Sequence, residues 1–213
     1  MKLYSYFRSS AAYRVRIALN LKQLDYDIEP VNLVSGEQRE VPYTDINPQG
    51  LVPTLQTDEG NTISQSLAIC EWLEVNYPNP ELIPSDPYEA ARVRAFALSI
   101  ACDIHPLNNL RILAYLENDL RVAPAQKDDW YRHWVAEGFS AIEKTLAGTP
   151  YCFGKEPTLA DAFLIPQVFN AQRFNVDMSE YPKILAINSA CSENQAFRDA
   201  HPDQQADNPS RSS

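Results

Sequence analysis

RSSAAYRVRIALNLK, residues Arg8 to Lys22, follows a short β-prone run, KLYSYF at 2–7, and changes the periodicity of the chain from two to 3.6. Ala11, Val15, Ala18 and Leu19 form one apolar stripe, so a helix starts just after Arg8-Ser9-Ser10 and the serines occupy a strand-to-helix turn. Outward from this point, a second strand fits Tyr26–Leu33, and a polar helical stretch runs to about Asp45. Leu51–Gln56 reads as a third strand containing Pro53. The turn Asp58-Glu59-Gly60 then joins Thr54–Thr57 to Asn61–Ser64 as a hairpin, and a helix begins at Ser66 and runs to Tyr77. The order β-α-β-α-β-β-α predicts an α/β domain built on one mixed sheet.

Four prolines in PNPELIPSDP (78–87) mark the end of that domain. Beyond them helical periodicity continues to about Phe197 with almost no strand signal, which predicts an all-α second domain. The expected boundaries are 1–80 for the α/β domain, 81–87 for a linker and 88–213 for the helical domain. The polar tail from His201, HPDQQADNPSRSS, reads as irregular.

The 213 residues carry a formal net charge of −10, which opposes encounter with nucleic acid or an anionic membrane. A small anion remains an acceptable ligand where arginines are gathered at one place. No apolar run approaches the length of a membrane span, and the first residues lack the basic and apolar regions of an export signal. Cys70, Cys102, Cys152 and Cys191 are far apart, show no metal-ligand spacing, and read as reduced structural thiols in a reducing cytoplasm.

Three local features carry chemistry. A helix start offers unpaired N–H groups and a positive dipole end, so Ser9 and Ser10 either cap the helix or donate to an anion bound there. Pro53 inside an apolar strand belongs either to an edge or to a cis bond after Val52, which exposes the Val52 backbone to an extended peptide. Gln65-Ser66 closes the third corner, with Ser66 as N-cap of a helix whose start suits a carboxylate. Three arginines are candidates to grip carboxylates through their planar forks, or else are surface or capping residues: Arg8, Arg111 and Arg173. Ile104, Leu107 and Arg111 share a helical stripe, with His105 and Asn108 on or beside that face, and Pro106 is expected to loosen the helix. Arg14 is expected to serve structural ion pairs.

Together these residues resemble the zeta-class glutathione transferase family, whose signature is usually written SSCxxRVRIAL. The likeness continues through NPQGLVPTL (47–55), SQSLAICEWLE (64–74), DIHPLNNLRIL (103–113) and PTLADAFLIPQV (157–168). It implies the glutathione transferase fold: a thioredoxin-like domain that binds glutathione, followed by an all-helical domain that supplies most substrate contacts. By resemblance Ser9 orients the cofactor thiolate, with Ser10 beside it, and Val52, before a cis Pro53, pairs with the cysteinyl backbone. Gln65 and Ser66 hold the γ-glutamyl end, and Gln38, His105 and Asn109 complete the cofactor contacts. Thr158 and Asp161 resemble the family's helix capping box, a folding element.

The implied activity is glutathione-dependent cis–trans isomerisation of maleylacetoacetate to fumarylacetoacetate in tyrosine and phenylalanine degradation, by a cytoplasmic homodimer. The thiolate adds to the double bond, rotation follows, and elimination returns glutathione unchanged. Lowering a thiol pKa by about two units, worth about 2.7 kcal/mol, raises its thiolate fraction at neutral pH some 25-fold. Ala11 stands where the family motif has cysteine, so the attacking sulfur is expected to come from glutathione and not from this position. The alternatives are the same isomerisation of maleylpyruvate, general conjugation of electrophiles to glutathione, and a scaffold that has lost catalysis.

Overall fold

The computed structural model describes residues 1–148 and 150–211, which form two compact units: residues 1–82 with 192–211, and residues 83–148 with 150–191. In the first unit β1 (Lys2–Ser5), α1 (Ser10–Leu21), β2 (Asp27–Pro30), α2 (Tyr43–Ile46), β3 (Thr54–Gln56), β4 (Thr62–Ser64) and α3 (Ser66–Asn76) follow one another. This is the order that the periodicity predicts. The sheet runs β2-β1-β3-β4, with β1 parallel to β2 and antiparallel to β3. Leu3 lies opposite Leu55, and both are fully buried. Tyr4 and Thr54 point to the other face by strand alternation, where Tyr4, Tyr6, Phe7, Val31, Tyr43 and Val52 form one apolar cluster with Leu33 and Ile46.

The second unit contains α4 (Pro87–Leu98), a π-helical turn (Ser99–Ile104), a 3-10 turn (His105–Asn108), α5 (Leu110–Asn118), α6 (Pro124–Thr145), α7 (Leu159–Arg173) and most of α8 (Pro182–Ser192). Asp86 caps α4, accepting from the N–H groups of Tyr88 and Glu89, and Pro87 opens the helix. Helix α7 is buried around most of its circumference, as expected of the central helix of a bundle. Its capping box is present. Thr158 N–H and Oγ–H donate to Asp161 at 2.8 and 3.0 Å, and Cys152 N–H donates to the same carboxylate at 2.8 Å. Asp161 is wholly buried, so Asp161→Ala leaves these donors unmet and is expected to cost about 3 kcal/mol. Thermal denaturation should then show a Tm lower by roughly 6–12 °C.

Several expectations change. The stripe that joined Ile104, Leu107 and Arg111 does not exist as one helix, because the helix gives way to π and 3-10 turns between Ser99 and Asn108 and restarts at Leu110. Pro106 lacks an N–H and its ring opposes the carbonyl four residues earlier, so the disruption exceeds a kink. Ser66 is the first residue of α3 and not its cap; Gln65 holds that position. Cys70, Cys152 and Cys191 are buried, whereas Cys102 is exposed and is no core thiol.

The tail is not irregular. Residues 192–211 belong to the first unit and not to the end of the helical one: α9 (Gln195–Ala200) packs on α1, where Asn20 Nδ2 donates to Ala196 O at 3.0 Å and Arg16 Nε to Ala200 O at 3.0 Å. Beyond it Pro202 is buried at the start of a short 3-10 turn (Pro202–Gln204), and Gln205 and Asn208 are buried between that turn and a second (Pro209–Arg211). His201 lies edge-on to Tyr13, and its Nδ1 accepts from Asp203 N–H at 3.2 Å. Burial holds the His201 pKa below the ordinary histidine range, against the opposing pull of Asp203. A histidine depressed in the folded state stabilises docking fully above its ordinary pKa and loses that contribution as pH falls through the folded value. Amide exchange at residues 200–208 is therefore expected to quicken on acidification, with His201→Gln flattening the dependence.

Candidate functional site

The strand registers bring three chain segments to one end of the sheet. Tyr4 pairs with Thr54 and Thr54 with Ser64, so the residues just beyond these pairs leave the sheet together: the turn Tyr6–Ser9, the dipeptide Val52-Pro53, and Gln65-Ser66. Each leads into a different structure. The first enters α1, the second precedes β3, and the third enters α3.

At the first, Ser9 caps α1, with its hydroxyl accepting from Ala12 N–H at 3.2 Å. That bond uses an oxygen lone pair and leaves the O–H proton available to donate. Ser9 is half-buried, Ser10 is buried, and exposed Arg8 lays its guanidinium over the Phe7 ring at 5.5 Å. The N–H groups of the first turn add a positive dipole end.

At the second, the Val52–Pro53 bond is cis and Val52 is buried just ahead of the β3 ladder. The loop before it is anchored by residues that sequence reasoning left aside. Asn47 Nδ2 donates to Leu51 O at 2.7 Å and to Thr54 Oγ1 at 3.1 Å, while its Oδ1 accepts from Gln49 N–H. Tyr43 donates its hydroxyl to the same Leu51 carbonyl at 2.6 Å. The NPQG turn at 47–50 was the available signal, since asparagine before such a turn bonds the backbone two residues on.

At the third, Gln65 adopts φ +71°, a left-handed conformation that costs a residue with a side chain about 1–3 kcal/mol. Its amide nitrogen donates to Gln49 Oε1 at 2.9 Å. Ser66 is buried and its hydroxyl accepts from Arg14 Nη1 at 3.3 Å, a link between the starts of α1 and α3. Gln38, on the 3-10 turn Glu37–Arg39, joins the same wall: its carbonyl lies 2.8 Å from where a Cβ on Gly50 would stand, and Gly50 has φ +61°. Gln38 Oε1 is buried without a hydrogen-bond partner among the described residues.

This arrangement fits a tripeptide. Two helix starts suit anionic groups, the Val52 backbone suits an extended peptide, and Gln38 keeps an unspent polar group. The Ser9 hydroxyl keeps a proton that it can donate to an anion.

The remaining candidates lie in the second unit. Asn109 caps α5, accepting from Arg111 N–H at 3.1 Å, and Arg111 is exposed in the first turn of that helix. Asn108 is buried and donates to Tyr131 O at 3.4 Å, and its Oδ1 has no partner among the described residues. The Tyr131 ring stacks on Phe174 at 3.6 Å, and the exposed Arg173 lies over the same Phe174 ring at 4.9 Å. The 3-10 turn bearing His105 and Asn108, the middle of α6 and the end of α7 thus meet through Tyr131 and Phe174. Neither aromatic residue was singled out from sequence, because an aromatic at helical spacing reads as core.

Family models described as the glutathione S-transferase N-terminal and C-terminal domains match residues 8–76 and 124–187. The chain is 46% identical to a maleylacetoacetate isomerase of Pseudomonas aeruginosa, across 98% of this chain and 99% of that one. It is equally 46% identical to a maleylpyruvate isomerase of a Ralstonia species, across 97% and 99%. A crystal structure of a maleylacetoacetate isomerase from Methylobacterium extorquens, with bound malonate and glutathione, superposes with a TM-score of 0.94 at 35% identity, across 98% and 100% of the two chains.

Proposed function

Since the chain belongs to the glutathione S-transferase family, in its zeta class, we propose that it is a glutathione-dependent isomerase that converts maleylacetoacetate to fumarylacetoacetate. Bound glutathione would supply a thiolate nucleophile whose reversible addition lets the cis double bond turn. The observation that carries this reading is the convergence of Ser9, Val52-Pro53 and Gln65-Ser66 at one end of a single sheet. Relatives that hold glutathione and a dicarboxylate support it.

In this reading the chain holds and orients. Ser9 directs its O–H at the sulfur position, and the first-turn N–H groups of α1, with Ser10, favour negative charge there. Val52 pairs its N–H and C=O with the cysteinyl backbone ahead of cis Pro53. Gln65, Ser66 and the start of α3 take the γ-glutamyl carboxylate, and Gln38 takes the glycine end. His105 and Asn109 are further cofactor contacts. For the diacid, Arg8, Arg111 and Arg173 are the proposed carboxylate partners, with His105 and Asn108 as polar support. We place the enzyme in the cytoplasm, where the buried thiols Cys70, Cys152 and Cys191 stay reduced, and infer a homodimer, for which exposed Tyr88 and Leu98 on α4 offer apolar surface.

The test is a spectrophotometric isomerisation assay with and without glutathione. Activity is expected only with the tripeptide, and glutathione-independent turnover would overturn the assignment. Arg111→Ala is expected to raise KM for the diacid roughly 10- to 100-fold, the worth of a charged hydrogen-bonded pair, with a smaller change in kcat. Maleylpyruvate is the second reading, because the Ralstonia relative is as similar as the Pseudomonas one; comparing kcat/KM for the two diacids decides between them.

A further inference from the structure

We infer that Asp207 and Arg16 are positioning residues for the Ser9 hydroxyl, clamping the peptide group on each side of Phe7 so that the far end of the chain holds the turn that aims the site. Phe7 N–H donates to Asp207 Oδ2 at 2.8 Å, across 200 residues of sequence. The Phe7 carbonyl accepts from Arg16 Nη2 at 2.9 Å, and Arg16 Nη1 reaches Ser5 Oγ at 3.1 Å and Tyr6 O at 3.5 Å. Tyr6 O also accepts from Ser9 N–H at 2.9 Å, so the clamp is one hydrogen bond from the capping serine.

Arg16 lies two helical turns beyond Ser9 on α1 and is fully buried, so the helix reaches back to grip its own leading turn. Its third nitrogen, Nε, donates to Ala200 O and ties that grip to the tail. The tail is itself braced at the right place. Gln205 Nε2 donates to Asp199 O and His201 O at 2.9 and 3.0 Å, and Asn208 Nδ2 to Pro202 O at 3.3 Å, on either side of Asp207. The Phe7 ring is buried in the cluster that includes Val52. A shift at Phe7 therefore moves both Ser9 and the packing beneath Val52.

This role rests on the isomerase reading for its catalytic consequence but not for its structural one, and the experiment separates the two. Asp207→Ala and Asp207→Asn are compared with the wild type by amide exchange at residues 7–10 without glutathione, by titration of the bound thiol through its ultraviolet absorbance, and by kcat and KM. Asp207→Ala is expected to quicken exchange at 7–10, move the bound-thiol titration upward, and lower kcat roughly tenfold at nearly constant KM for the diacid. Asp207→Asn keeps an acceptor oxygen and should restore most of each. A merely structural carboxylate would lower Tm while leaving exchange at 7–10 and the thiol titration at wild-type values, and that result overturns the proposal. If Asp207→Ala does not fold, Asp207→Ser, whose hydroxyl is too short to reach the Phe7 N–H, carries the test: quickened exchange at 7–10 with a raised thiol titration supports the clamp, and wild-type values in both overturn it. Should the wild type bind no glutathione, the isomerase reading falls, and exchange at 7–10 still decides whether the clamp exists.

Discussion

Ser9→Ala is expected to lower isomerase turnover about a hundredfold or more while the protein remains folded. The hydroxyl has two tasks that separate in energy. As a cap it accepts from Ala12 N–H, and its loss destabilises α1 by about 1 kcal/mol. As a donor toward a developing or resident anion in a water-poor site, one such group is worth about 10²- to 10³-fold in rate. The predicted signature is a small fall in Tm, a large fall in kcat, a bound-thiol titration displaced upward, and little change in glutathione affinity, since Val52, Gln65 and Ser66 remain. A variant whose kcat stays within about threefold of wild type would assign the donor elsewhere, and Ser10, buried one residue on, would be the next to test.

Arg16→Ala has the largest expected effect on the fold. Burial pushes the Arg16 pKa down to about 10, so the guanidinium is still charged at neutral pH and depends on its oxygen partners for compensation. Those partners are Ala200 O, Ser5 Oγ, Tyr6 O and Phe7 O. Alanine removes the guanidinium donors and leaves a void, with only Tyr6 O still bonded, to Ser9 N–H, at a cost of about 3–5 kcal/mol, a large part of the stability of an ordinary domain. Lysine is not expected to rescue it. An ammonium is a compact charge, whereas these acceptors are spread around a planar fork whose nitrogens each have a different target. Denaturant titration should show the midpoint falling, and limited proteolysis should cut within residues 192–211 before it cuts elsewhere. An Arg16→Ala protein of wild-type midpoint would show that the guanidinium does not hold the tail.

The α/β half was legible because short-range periodicity decided it: KLYSYF alternates, Arg8–Lys22 repeats at 3.6, and a proline beside Val52 has few places to go. Within the site, the serines at the start of α1 and the Gln65-Ser66 corner were also readable, since helix starts follow local rules. The cap of α3 moved by one residue because Gln65 takes a backbone conformation that no local preference favours. The break between Ser99 and Asn108 was underestimated for a related reason. Pro106 announces a defect, but whether it bends or ends a helix depends on what else satisfies the freed groups, such as Trp130 Nε1 donating to Leu107 O at 2.9 Å. HPDQQADNPSRSS has the composition of a solvated segment, and its order comes from partners such as Phe7 and Arg16 that lie far away in sequence. Tyr131 and Phe174 escaped notice because stacking is a property of the folded pair.

The docking of residues 192–211 onto the first unit sets a timetable for biosynthesis. The ribosome delivers Phe7 200 residues ahead of Asp207, and Arg16 long before the Ala200 carbonyl that it grips. The helical unit, contained within residues 83–191, has all its parts earlier. The nascent chain can therefore complete its second body before its first, and an otherwise finished protein cut short before Ala200 would be stranded with the Arg16 guanidinium missing one of its acceptors.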